Sequence, residues 1–286
     1  MRHGSWVWPP VGPVGGRGWR SAMTDGTFLR YVALGDSQTE GVGDGDDTGG
    51  LRGWADRLAE LLARDSPDML YANLAVRGRL AGQVRAEQLA PALALDPDFA
   101  TVVAGFNDLL RPGFDADATA GHLEEMFAAL TGRGARVATL AFPDVGRITP
   151  LARPLVPRVR ALNARVREAA GRYGVVVVET GHQPVVTDPR LWSPDRLHAG
   201  PLGHARIAAA VAEALGLPGA DDSWTRPLPP PDVPLPTGLR AELRWAGAFL
   251  GPWLGRRLRG RSSGDGRGAK RSELLPVVRV EEPGVR

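Results

Sequence analysis

Cysteine is absent from the 286 residues. This excludes disulfides, thiolate metal sites and a cysteine nucleophile, and says little about compartment. Lysine is almost as scarce: Lys270 is the only one, so arginine carries nearly all the positive charge. We read that bias as codon usage in a GC-rich genome. No stretch stays apolar for the roughly 20 residues that a membrane span needs. Residues 1–22 also lack the continuous apolar run of about 7–15 residues of a secretory signal. A cytoplasmic protein is the expectation. Neither a dinucleotide fingerprint nor a phosphate loop stands at a strand–helix junction, so no nucleotide cofactor is expected.

The charge that is present is unevenly spread. Of 35 basic and 32 acidic side chains, three and none fall in residues 1–23 and eleven and five in residues 240–286, leaving 21 and 27 between. The body is acidic and its extensions are basic, so the net charge of +3 is no argument for nucleic-acid binding.

Residues 1–28 have no helical or alternating period and read as a disordered arm, with Met23 a candidate for the natural start. From residue 29 short β-rich runs alternate with amphipathic stretches. Strands are predicted at Arg30–Leu34, Met69–Ala75, Ala100–Gly105, Arg136–Phe142 and Val175–Glu179, and helices near 52–64, 80–91, 116–131, 153–172 and 202–215. Unbroken runs such as Thr101-Val102-Val103-Ala104 are those of strands buried on both faces. The alternation implies right-handed crossovers and a parallel sheet between helices, an α/β fold. Residues 217–238 read as a proline-rich linker. Leu239, Leu243, Ala246, Leu250 and Trp253 then suggest an amphipathic helix kinked at Pro252, followed by a basic, Gly/Ser-rich tail expected to be disordered.

Gly35-Asp36-Ser37-Gln38-Thr39-Glu40-Gly41 follows the first strand directly. Open α/β sheets place their chemistry beyond the strand ends, so Ser37 is a nucleophile candidate. A nucleophilic serine needs a base, a group that orients the base, and donors for an oxyanion. Only five histidines are available. His3 lies in the arm, His122 in a helical pattern, His182 in a post-strand loop and His204 at a helix start, where packing or capping is the plainer role. His198 lies three residues after Asp195 in a loop, close enough for one turn to hold carboxylate against imidazole. Gly78 closes the second strand and can bring a bare backbone N–H to a substrate. Asn107, in Gly105-Phe106-Asn107-Asp108, can donate from its amide after the third strand. Each of these alone has a bland reading: a turn, a helix cap, a chance pair.

In order and placement the four blocks together resemble the SGNH hydrolases, also called GDSL-type lipases and esterases, over roughly residues 29–216. The resemblance implies a three-layer α/β/α, flavodoxin-like five-stranded parallel sheet of order 2-1-3-4-5 and an open, shallow site without a large lid. It implies Ser37 as nucleophile, His198 as general base and Asp195 as its partner, with an oxyanion hole from the Ser37 and Gly78 N–H groups and the Asn107 side chain. No metal or cofactor is implied. The expected activity is hydrolysis of small-molecule carboxylic esters of short or medium acyl chain. The alternatives are deacetylation of an O-acetylated sugar and, from another class, a non-catalytic scaffold.

Other signals carry less. Gly260-Arg261-Ser262-Ser263-Gly264 matches a nucleophile elbow literally, but lies in the tail with no histidine after it. Asp44, Asp46 and Asp47 lack the glutamate of a calcium loop. Residues 142–148 could line an acyl or alcohol pocket. The 239–259 helix could touch an anionic membrane surface through Trp245, Phe249, Trp253 and its arginines; packing of its apolar stripe on the body is the favoured reading.

Overall fold

A computed structural model describes residues 27–231, 244–251 and 263–277 of the chain. Its elements run β1 (Arg30–Gly35), α1 (Ser37–Glu40), α2 (Trp54–Asp65), β2 (Leu70–Asn73), α3 (Ala81–Ala94), β3 (Phe99–Val103) and α4 (Phe106–Leu109). There follow α5 (Ala116–Gly132), β4 (Arg136–Leu140), α6 (Val145–Ile148), α7 (Val156–Tyr173), β5 (Val176–Val178), α8 (Pro201–Leu215) and β6 (Arg271–Pro276). A ribbon of two-residue strands, Gly45–Asp46 with Gly50–Leu51, forms a small separate sheet.

Side chains of the central strands enter two cores alternately, as the pleat requires. Val32, Leu34, Ala100 and Val102 face one core with Val84, Leu123, Phe127 and Leu162 of α3, α5 and α7. Tyr31, Ala33 and Phe99 face the other with Trp54, Leu58, Ala208 and Val211 of α2 and α8. Each helix turns an apolar stripe inward: in α2, Trp54, Leu58 and Leu62 are buried at helical spacing. Asp115 caps α5 by accepting from the Asp117 and Ala118 N–H groups.

The main sheet has the order β5-β4-β3-β1-β2-β6, with β1 to β5 parallel and β6 antiparallel to β2. The order 2-1-3-4-5 is therefore present, and the correction is a sixth strand. That strand lies in the stretch expected to be a disordered tail. It pairs Tyr71 with Leu275 and Asn73 with Arg271, and Arg271 Nε donates to the Tyr71 carbonyl at 2.8 Å. Its side chains are mostly exposed, so its backbone pairing left no hydrophobic pattern to read. Residues 1–26, residues 232–238 of the linker and Pro252 lie outside the described residues.

Candidate active site

The turn behind β1 is too tight for any side chain at Gly35. A Cβ there would lie 2.5 Å from both the Val103 carbonyl oxygen and Thr39 Oγ1. Gln88, the polar member of the buried stripe of α3, holds this glycine from both sides. Its Nε2 donates to the Gly35 carbonyl and its Oε1 accepts from the Gly35 N–H, each at 2.9 Å. Helix α1 opens at Ser37, and the first N–H groups of a helix have no acceptor inside it.

Asp36, only 3% exposed, accepts from Gln38 N at 3.4 Å and from Asn107 Nδ2 at 3.1 Å. Burial pushes its carboxyl up to about 7, against the downward pull of those hydrogen bonds and of His198. Asn107 Nδ2 also donates to the Arg79 carbonyl at 3.1 Å. Its neighbour Asp108 accepts from Ala81 N at 3.0 Å, at the start of α3. The Asn-Asp pair thus divides its work: the aspartate caps a helix and the asparagine faces the cleft.

Gly78 has φ +78°, a left-handed conformation that favours glycine. The loop that carries it is held from beneath by Glu40, which accepts from Arg77 N at 2.6 Å and from Arg77 Nη2 at 2.7 Å. A second carboxylate, Asp47, accepts from Arg77 Nη2 at 2.9 Å. Such charge-assisted pairing fixes the loop geometrically as well as energetically.

His198 comes from the loop ahead of α8. Arg196 takes φ +56°, uncommon for a residue with a side chain. The resulting turn lets Asp195 Oδ1 accept from Leu197 N at 2.9 Å, His198 N at 3.0 Å and Ser193 Oγ at 2.5 Å. Asp195 Oδ2 meets His198 Nδ1 at 2.7 Å, and His198 Nε2 meets Ser37 Oγ at 2.8 Å. With Nδ1–H donating to Asp195, Nε2 is left to accept from the serine hydroxyl. Burial works to raise the Asp195 pKa, but the hydrogen bond and charge of His198, with Ser193 and the His198 N–H, hold it well below the usual carboxylate range. Asp195 is therefore ionised wherever the imidazole needs its charge.

Ser37, Gly78, Asn107, Asp195 and His198 all line one cleft of about 430 Å³. Its apolar wall includes Phe106, Phe142, Ile148, Leu151 and Leu155, so the 142–148 segment does line it. Trp245, Phe249 and Ser263 also line it. Sequence reasoning missed Gln88 and the Glu40–Arg77 pair. A polar residue within the buried stripe Ala81, Val84, Gln88 and Ala92 was the available signal for Gln88.

Of the remaining histidines, the described ones do not line the cleft. His204, fully buried, accepts from Trp54 N through Nδ1 at 3.0 Å and donates from Nε2 to the Val42 carbonyl at 3.2 Å. Burial lowers its pKa to about 4. His122 packs over Gly82 of α3, His182 is exposed, and His3 lies outside the described residues. Asp44 pairs with Arg57 at 2.7 Å and Asp46 accepts from Thr48 and Gly49 N–H groups. Among the described residues no group of His, Asp or Glu could hold a metal ion, and no helix is long and apolar enough to cross a membrane.

Residues 33–206 match the GDSL-like Lipase/Acylhydrolase family. No curated protein sequence matches the chain. Among solved structures, LAE5, an alpha/beta hydrolase enzyme from the metagenome of Lake Arreo, Spain, is 22% identical with a TM-score of 0.54, over 66% of this chain and 95% of that one. The psychrotrophic esterase EstA from Pseudoalteromonas sp. is 16% identical with a TM-score of 0.52, over 65% and 96%. A catalytic mutant of Axe2, an acetylxylan esterase from Geobacillus stearothermophilus, is 18% identical with a TM-score of 0.56, over 71% and 99%. At these identities the likeness is one of fold.

Proposed function

Because the chain belongs to the GDSL-like lipase/acylhydrolase family, a family of ester hydrolases, we propose that it cleaves carboxylic esters of short or medium acyl chain through an acyl-enzyme on Ser37. The observation that carries this reading is the unbroken chain Ser37 Oγ–His198 Nε2–Asp195, at 2.8 and 2.7 Å, opening on the cleft. Ser37 Oγ attacks the ester carbonyl carbon while its proton passes to His198 Nε2. The carbonyl oxygen becomes an oxyanion beside the Ser37 and Gly78 N–H groups and the Asn107 amide. One of the two Asn107 Nδ2 hydrogens turns from its resting acceptor toward that charge. His198 then returns the proton to the departing alkoxide, which leaves as the alcohol. A water attacks the acyl-enzyme, gives its proton to His198, and the acid departs as Ser37 recovers its hydrogen. Asp195 stays ionised throughout and steadies the imidazolium.

A fluorophosphonate probe is expected to label the wild-type protein and to leave Ser37→Ala unlabelled. Equal labelling of the two would refute the assignment. A panel of acyl esters and acetylated sugars, run beside Ser37→Ala, then identifies the ester.

A further inference from the structure

Described C-terminal residues line the cleft, although nothing in the triad or oxyanion hole requires them there. Trp245 and Phe249, one helical turn apart, line one side. The guanidinium of Arg196, which directly follows Asp195, sits over the Trp245 ring at 5.1 Å from its centroid. On the other side Ser263 lines the cleft, and Gly264 presses so close to the Arg77 carbonyl that a Cβ would clash. Arg77 in turn precedes Gly78. The described segments therefore touch both the histidine loop and the oxyanion loop.

Beyond the cleft this stretch is fastened. Arg267 pairs with Asp47 at 2.6 Å, Lys270 pairs with Asp56 at 2.6 Å, and β6 joins the edge of β2. A segment with no task would gain little from such anchorage. Its aromatic side chains also face a matching wall: Leu151 and Phe249 are 53% and 38% exposed, yet both line the cleft. Large apolar side chains left open to water within one concave site mark where an apolar ligand lies. An acetyl group would cover only a small part of about 430 Å³.

We infer that Trp245 and Phe249 are specificity-determining residues, which with Ile148 and Leu151 form the channel for a medium-length apolar acyl chain. The inference rests on Ser37 being the nucleophile. Each methylene of the chain drawn out of water against these walls raises binding by about fourfold. Acetate esters gain nothing from it.

The test compares kcat/KM for 4-nitrophenyl octanoate and 4-nitrophenyl acetate in the wild type, Trp245→Ala, Phe249→Ala and Trp245→Phe. The octanoate-to-acetate ratio is expected to fall by about tenfold in each alanine variant and to recover in part in Trp245→Phe. Phe249 is partly exposed, so its variant reads the channel even if Trp245→Ala disturbs folding. A ratio within twofold of wild type in Phe249→Ala, or a wild-type enzyme that prefers acetate, overturns the inference and leaves the nucleophile untouched. A wild type that hydrolyses neither ester and resists the fluorophosphonate strikes the Ser37 reading instead.

Discussion

A carboxylate beside a developing oxyanion opposes it when charged and spares it when neutral. In the proposed mechanism Asp36 occupies that position, next to Ser37 and bonded to Asn107, with a carboxyl pushed up to about 7. Both of its forms can accept from Asn107, and only the charged form repels the oxyanion. We therefore expect Asp36→Asn to retain most turnover. Asp36→Ala frees the Asn107 amide and is expected to lower kcat by about 10²-fold with little change in KM. Asn107→Ala is expected to lower kcat by on the order of 10²–10³. Steady-state kinetics of the three variants decides the point: equal losses in Asp36→Asn and Asp36→Ala would mean that charge, not positioning, is what Asp36 contributes.

Two buried titratable groups tie elements together and respond to pH in opposite senses. His204 joins the start of α2 to α8, and its pKa falls from 6.5 to about 4 on burial. Below pH 6.5 the unfolded chain binds a proton that the folded one refuses, so its contribution, on the order of 3 kcal/mol, is lost as pH falls toward 4. Asp36 rises from 3.8 to about 7, so the folded state keeps a proton that the unfolded state has given up. Its contribution is full at low pH and declines as pH rises from 3.8 to 7. Melting temperatures against pH should therefore show His204→Gln losing its disadvantage in acid. The Asp36→Asn variant should gain on the wild type toward neutrality. Curves parallel to wild type in both variants would contradict these assignments.

The same elements show what a sequence can and cannot display. β1, β3 and the amphipathic helices were legible because burial on fixed faces imposes a period, and the positions of Ser37, Gly78 and Asn107 because strand ends are where such sheets open. Gln88, Glu40 and Arg77 were not, since their partners lie 37 to 53 residues away and only packing brings them together. β6 was illegible for another reason. An edge strand that buries little side chain is held by backbone groups that every residue supplies, and Pro276 at its end is tolerated only at such an edge.

At the scale of the whole molecule, the chain returns to its beginning. β6 covers the outer edge of β2, and its flanking residues reach the ribbon and α2 through Asp47 and Asp56. A deletion of residues 237–286 leaves ester hydrolysis largely intact only if that stretch is peripheral. The contacts here argue otherwise. Truncation is expected to bare the unpaired N–H and C=O groups of β2, to lower the melting temperature and to promote self-association. Light scattering with differential scanning fluorimetry reads both effects. A truncated chain that stays monomeric with an unchanged melting temperature would show the sixth strand to be dispensable.

That return places the chain's only lysine at the joint. Lys270 Nζ donates to Asp56 and to the Leu51 carbonyl, with its side chain 19% exposed. An amine-directed reagent therefore has one side-chain target in the protein, and it sits where the C-terminal strand is buckled to the body. Acetylation removes the charge that Asp56 meets, whereas reductive methylation keeps it. Isotope-labelled dimethyl-lysine would give a single resonance from this one position. The peak would report the docking of the strand without any engineered probe.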